Sequence, residues 1–66
     1  MRFKMVFPTM KEGCRARRKG WGGYWEWRDG TIFMHCADGT VLDIRQTQDV
    51  NFTLSNLLAD DWEIVG

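Results

Sequence analysis

The run Arg15–Trp27 reads R-A-R-R-K-G-W-G-G-Y-W-E-W and gathers four cations, three glycines and four aromatics into thirteen residues. Guanidinium and ammonium groups suit anions such as phosphate. Aromatic faces suit flat partners such as nucleobases. Glycine lets a backbone approach a ligand or turn through positive φ. Together these types describe a nucleotide-shaped partner better than a metal, a peptide or a membrane. The binding reading rests on Arg15, Arg17, Arg18 and Lys19 with Trp21, Tyr24, Trp25 and Trp27. The competing structural reading is a two-stranded corner whose aromatics fill a small core and whose basic residues are solvated.

Catalysis finds little support. His35 lies between Met34 and Cys36 in a run of strand length, and strand neighbours face opposite ways, so His-Cys is not a nucleophile–base pair. Asp60-Asp61 offers two carboxylates, yet adjacent acids after a helix more often form a solvated turn. Two cysteines and one histidine cannot close a four-ligand zinc site within one chain. The expectation is a binding protein with no catalytic residue, no metal and no cofactor. Trp62, beside the two acids, reads as an edge or core anchor.

The elements that must position these groups follow from the pattern. Phe3, Val6, Phe7 and Met10 recur at helical spacing with Gly13 after them, predicting a helix over 3–12. Pro8 opposes it, since proline removes a backbone donor. Residues 14–18 alternate, with Arg15 and Arg17 on one face and Ala16 and Arg18 on the other. Lys19–Gly23 is a loop. Tyr24–Arg28 places Trp25 and Trp27 on one face and Tyr24, Glu26 and Arg28 on the other. Asp29-Gly30 is a strong hairpin signal; Thr31–Cys36 follows, then a turn at Ala37-Asp38-Gly39 and a strand over Thr40–Arg45. Gln46–Asn51 is polar and without pattern. Thr53 can cap a short helix over Leu54–Ala59 whose apolar side is Leu54, Leu57 and Leu58. Trp62–Val65 closes the sheet. The predicted class is α+β: an antiparallel four- to five-stranded sheet with an N-terminal helix and a short second helix before the last strand.

Sixty-six residues make a single domain, 1–66, that buries only about 60% of its unfolded surface and is marginal alone. Its nine aromatics and lack of a disulfide framework predict a homodimer or a higher assembly such as a homotetramer. The formal net charge is zero, which argues against a general nucleic-acid binder. Residues 1–20 nevertheless hold seven Lys/Arg against one acid, and residues 37–66 hold six acids against one Arg. No apolar run is long enough to span a membrane. A cytosolic chain with both thiols reduced is expected.

Two stretches carry a resemblance. Val6–Gly23, V-F-P-T-M-K-E-G-C-R-A-R-R-K-G-W-G-G, and Leu57–Val65, L-L-A-D-D-W-E-I-V, are together similar to the two ends of the second Thoeris anti-defence family of small phage proteins. The likeness covers 27 of 66 residues, and the middle is shorter than usual and unmatched. Such proteins are sponges: they hold a cyclic nucleotide immune signal, such as glycocyclic ADP-ribose or a cyclic oligonucleotide, without cleaving it. They are oligomeric, with pockets where subunits meet. The resemblance implies action in the cytoplasm of an infected bacterial host. It puts Gly20 and Trp21 at the Gly-Trp element, with Trp21 stacking on a base, and Arg18 opposite a phosphate. Thr53 and Asn56 fall on the family's polar positions near the second helix, where Asn56 replaces an expected Asp and bears on ligand choice.

The ligand-binding candidates are therefore Arg17, Arg18, Gly20, Trp21, Tyr24, Trp27, Thr53 and Asn56. The alternative is a protein-interaction module that inhibits a host protein through an exposed aromatic surface. A single-stranded nucleic-acid binder stands third.

Overall fold

The computed structural model describes residues 1–66. Helix α1 spans Phe3–Lys11 and buries Val6 and Met10, while Phe3 and Phe7 stack at 5.4 Å beside them. This is the stripe that the apolar spacing predicts. Pro8 does not end the helix. Pro8 and Lys4, whose carbonyl loses its donor, are both exposed, so water can serve that carbonyl.

Five strands follow: β1 (Ala16–Arg18), β2 (Tyr24–Arg28), β3 (Thr31–His35), β4 (Val41–Asp43) and β5 (Trp62–Ile64). They form one antiparallel sheet in the order β4-β3-β2-β1-β5, and the class is α+β. The first four strands meander. The β2–β3 turn carries Asp29 at φ 54° and Gly30 at φ 75°, the left-handed pair that a tight hairpin needs. Strand β5 returns to the free edge of β1, pairing Ala16 with Ile64, Arg17 with Glu63 and Arg18 with Trp62.

Four strands are shorter than the alternation predicts, β3 and β5 by one residue each and β1 and β4 by more. The ladder of β1 begins at Ala16, although Arg15 still accepts from the Val65 amide at 2.8 Å. Strand β4 ends at Asp43, whose carboxylate accepts from the Arg45 amide at 2.9 Å and opens a 3₁₀ turn over Ile44–Gln46.

Helix α2 spans Val50–Leu57 and starts earlier than expected. Its cap is Asp49, whose Oδ1 accepts from the Phe52 amide at 2.9 Å. Thr53 is not the cap. It lies inside the helix and donates Oγ1–H to the Asp49 carbonyl at 3.0 Å. The expected orientation also changes. Leu57 packs on the core as expected, but Thr53 and Asn56 turn inward with it, while Val50, Leu54 and Leu58 are 62, 50 and 83% exposed.

Both helices meet the same sheet face, which carries Ala16, Trp25, Trp27, Ile32, Met34 and Trp62. Its centre is aromatic: Trp62 has Trp25 at 5.0 Å, Phe3 at 5.1 Å and Trp21 at 5.3 Å, centroid to centroid. The opposite face carries Arg17, Tyr24, Glu26, Phe33 and His35, and neither helix covers it.

Gly23 sets the entry to β2 against β3. A Cβ there would stand 2.0 Å from the His35 carbonyl oxygen, a backbone atom that cannot swing aside. Gly23→Ala is expected to cost about 1–3 kcal/mol, the range for overpacking, read as a lower urea midpoint. An unchanged midpoint would show that the hairpin can shift to make room.

Candidate functional site

The loop between β1 and β2 turns back on itself through a hydrogen bond from the Trp21 amide to the Arg18 carbonyl at 3.1 Å, with Gly20 at φ 86°. The turn lays the Trp21 indole against Trp25 and Trp62, at 5.8 and 5.3 Å, and leaves it half-buried. Beside it lies a cleft of about 430 Å³. The Trp21 loop forms one wall, Asp49 and Phe52 at the start of α2 form the other, and Met34 and Leu42 lie between them on the sheet. The volume falls in the range of small-molecule sites.

The sequence-predicted residues divide into three groups. Trp21 and its glycine loop reach the cleft. Arg18, Thr53 and Asn56 form the underlying support of α2. Arg18 Nε donates to Asp61 Oδ1 at 2.7 Å, Nη2 donates to Asp61 Oδ2 at 3.3 Å, and Nη1 donates to Asn56 Oδ1 at 2.8 Å. Asn56 Nδ2 donates to the Phe52 carbonyl at 3.0 Å, and the Asn56 carbonyl accepts from the Trp62 indole N–H at 2.8 Å. These bonds make burial of a polar helix face tolerable, because each buried group finds a partner. The guanidinium expected opposite a phosphate is thus paired with a carboxylate and an amide of its own chain through three of its five N–H donors.

The third group lies away from the cleft. Arg17 pairs with Glu63 at 2.9 Å on the uncovered sheet face. Tyr24, on the same face, stacks on His35 at 4.3 Å with the Arg15 guanidinium 4.9 Å above its ring. His35 Nε2 faces the Glu26 carboxylate. Trp27 packs edge-on against Phe7 at 5.4 Å, in the layer between α1 and the sheet. One chain therefore does not gather Arg17, Tyr24 and Trp27 around Trp21. The residues that pattern reading missed are Met34, Leu42, Asp49 and Phe52. Asp49 carries a helix-cap residue type, although the sequence pattern assigns the cap to Thr53 instead; the other three line the cleft only because the sheet and α2 meet.

Three carboxyls titrate below their usual range, Asp38 among them through hydrogen bonds from the Thr40 amide and hydroxyl. A side-chain hydrogen bond from Arg18, aided by its charge, holds Asp61 below 3.8, and Asp61 in turn holds the Arg18 proton more firmly. Hydrogen bonds from the side chain and then the amide of Arg45, with one from the Thr31 hydroxyl, hold Asp43 far below that range. A depressed folded-state carboxyl contributes stability that is complete above its unfolded value and disappears as pH falls through the folded one. Thermal stability should therefore be level above the carboxylate range and decline as pH drops below 3.8. The double variant Asp43→Asn/Asp61→Asn should show a lower Tm at neutral pH and a shallower acid decline. A decline of unchanged steepness would assign the acid sensitivity elsewhere.

No three His, Cys, Asp or Glu side chains come together, Cys14 and Cys36 are both free, and no helix is long and apolar enough to cross a membrane. A family model described as Tad2-like, the Thoeris anti-defense 2-like domain, matches residues 1–65. No curated protein matches the chain.

Proposed function

The chain belongs to the Thoeris anti-defense 2-like family, whose role is anti-defence, and from that premise we propose that it acts by sequestration. It binds a cyclic nucleotide immune signal, glycocyclic ADP-ribose or a cyclic oligonucleotide, and holds it uncleaved in the cytoplasm of the infected host. The observation that carries this reading is the cleft of about 430 Å³ with the Trp21 indole on one wall. A stacking surface already held by Trp25 and Trp62 loses little freedom when a flat ligand arrives. Calorimetry with a panel of cyclic nucleotides tests it, followed by mass analysis of what denatured protein releases. Tight binding of one of them and its recovery intact are expected. No binding across the panel, or recovery of a cut product, would overturn the reading.

The working form is proposed to be a homodimer or homotetramer. Helix α2 turns Thr53, Asn56 and Leu57 inward and sets Val50, Leu54 and Leu58 outward at i, i+4 and i+8. An apolar stripe of this kind on a small chain is stabilised by a matching surface, and a second copy supplies one by two-fold symmetry. Native mass spectrometry should show the assembly for the parent chain and a monomer for Leu54→Glu/Leu58→Glu. A monomeric parent at micromolar concentration would instead favour a host protein as the partner of this stripe, and pull-down from host lysate would identify it.

A further inference from the structure

The lining of the cleft separates the parts of a nucleotide. Its walls are apolar, formed by Trp21, Trp25, Met34, Leu42 and Phe52, and its side-chain oxygens come from Thr47 and Asp49. No lysine or arginine lines it. The arginines of the basic run are committed elsewhere: Arg18 to Asp61 and Asn56, Arg17 to Glu63, and Arg15 to the Tyr24 ring. Asp49 Oδ1 accepts from the Phe52 amide, while Oδ2 accepts no hydrogen bond from the chain.

We infer that the cleft takes the heterocyclic base of the ligand, oriented by N–H donation to Asp49, and leaves the phosphates outside it. The inference rests on the nucleotide reading above and specifies which part of that ligand one chain holds. A flat ring gains stacking on the Trp21 indole. An amino or imino N–H of the ring gains a hydrogen bond to a carboxylate, stronger than one to a neutral acceptor. A phosphate in the same place would meet the exposed Asp49 carboxylate with no lysine or arginine between them, and like charges at close range repel. The binding energy of this subsite therefore lies in the nucleoside half.

The test compares adenosine, guanosine, cytidine and uridine with their 5′-monophosphates by calorimetry on the full chain, at low and high salt. At least one nucleoside should bind no more weakly than its monophosphate, with little salt dependence, and should slow alkylation of Cys36, an exposed thiol on the cleft wall. Asp49→Asn keeps a helix cap, since asparagine caps as well as aspartate. It should weaken that nucleoside about tenfold, as expected for loss of a charged acceptor, and narrow its advantage over the monophosphate. Circular dichroism of the variant checks that α2 remains folded, and Asp49→Ser, which also caps, should behave like Asp49→Asn. Tighter binding of the monophosphate, an unaffected Asp49→Asn, or binding of cyclic nucleotides without any nucleoside would each overturn the subsite and leave sequestration standing. Failure of cyclic nucleotides and nucleosides alike would overturn both.

Discussion

Trp62→Ala should leave the chain largely unfolded at 25 °C. Trp62 is 2% exposed and is the ring on which Phe3, Trp21 and Trp25 converge. Removing a buried Trp side chain costs about 3–5 kcal/mol in transfer energy and cavity. A chain of 66 residues has a total stability of roughly 3–10 kcal/mol, so this single deletion consumes much or all of it. The loss extends beyond the core. The Trp62 indole N–H is the donor to the Asn56 carbonyl, so the substitution also strips a partner from the buried side of α2. Trp62→Phe isolates that second part: the ring volume is mostly kept while an acceptor is left without its donor, a cost of about 1–3 kcal/mol. Urea denaturation followed by circular dichroism and near-ultraviolet absorbance reads both variants. An alanine variant that keeps the parent midpoint would show that the aromatic cluster does not support the fold.

Trp21→Ala should affect binding more than folding. Its indole is half-buried, packed on one side by Trp25 and Trp62 and open to the cleft on the other. Loss of a stacking indole weakens a base by about 1–3 kcal/mol, roughly 5- to 150-fold in Kd. Trp21→Phe should recover part of this, because a smaller ring still presents a π-face. The control is Trp27→Ala. Trp27 packs on Phe7 under α1, away from the cleft, so its removal should lower the Tm and leave the affinity of the folded protein unchanged. Equal affinity losses at Trp21 and Trp27 would mean that both act through general stability, and the cleft would lose its role.

The two variants separate functions that the amino-acid run Arg15–Trp27 mixes together. Alternation along Tyr24–Arg28 correctly assigns Trp25 and Trp27 to one face and Tyr24 to the other, because a strand turns successive side chains to opposite sides. The same rule separates Arg17 from Arg18. It does not reveal that Arg18 is taken up by Asp61, which lies 43 residues away, nor that Arg17 is taken up by Glu63. Those pairings require β5 to dock on β1, a long-range event with no trace in local spacing. Gly23 is a similar case. Glycine in an aromatic run reads as room for a ligand to approach, whereas the space at Gly23 is filled by the His35 carbonyl of the neighbouring strand.

Helix α2 shows the limit most clearly. Leucines at 54, 57 and 58 read as the side that meets the core, since apolar stripes on short helices normally do. In the folded chain only Leu57 of the three packs on the core, and Thr53 and Asn56 join it there, because Arg18, Trp62 and the helix's own carbonyls satisfy their polar groups.

The amino-acid sequence alone determined the α+β class, the order of the elements, the hairpin at Asp29-Gly30 and the sheet faces of the strand residues. Each of these depends on neighbours within a few positions, where steric and periodic rules act. Only the tertiary structure decided which aromatics border a cavity, which arginines are neutralised within the chain, and which side of α2 faces water. Those outcomes depend on groups far apart in the chain competing for the same partners, and that competition is resolved only when the sheet closes.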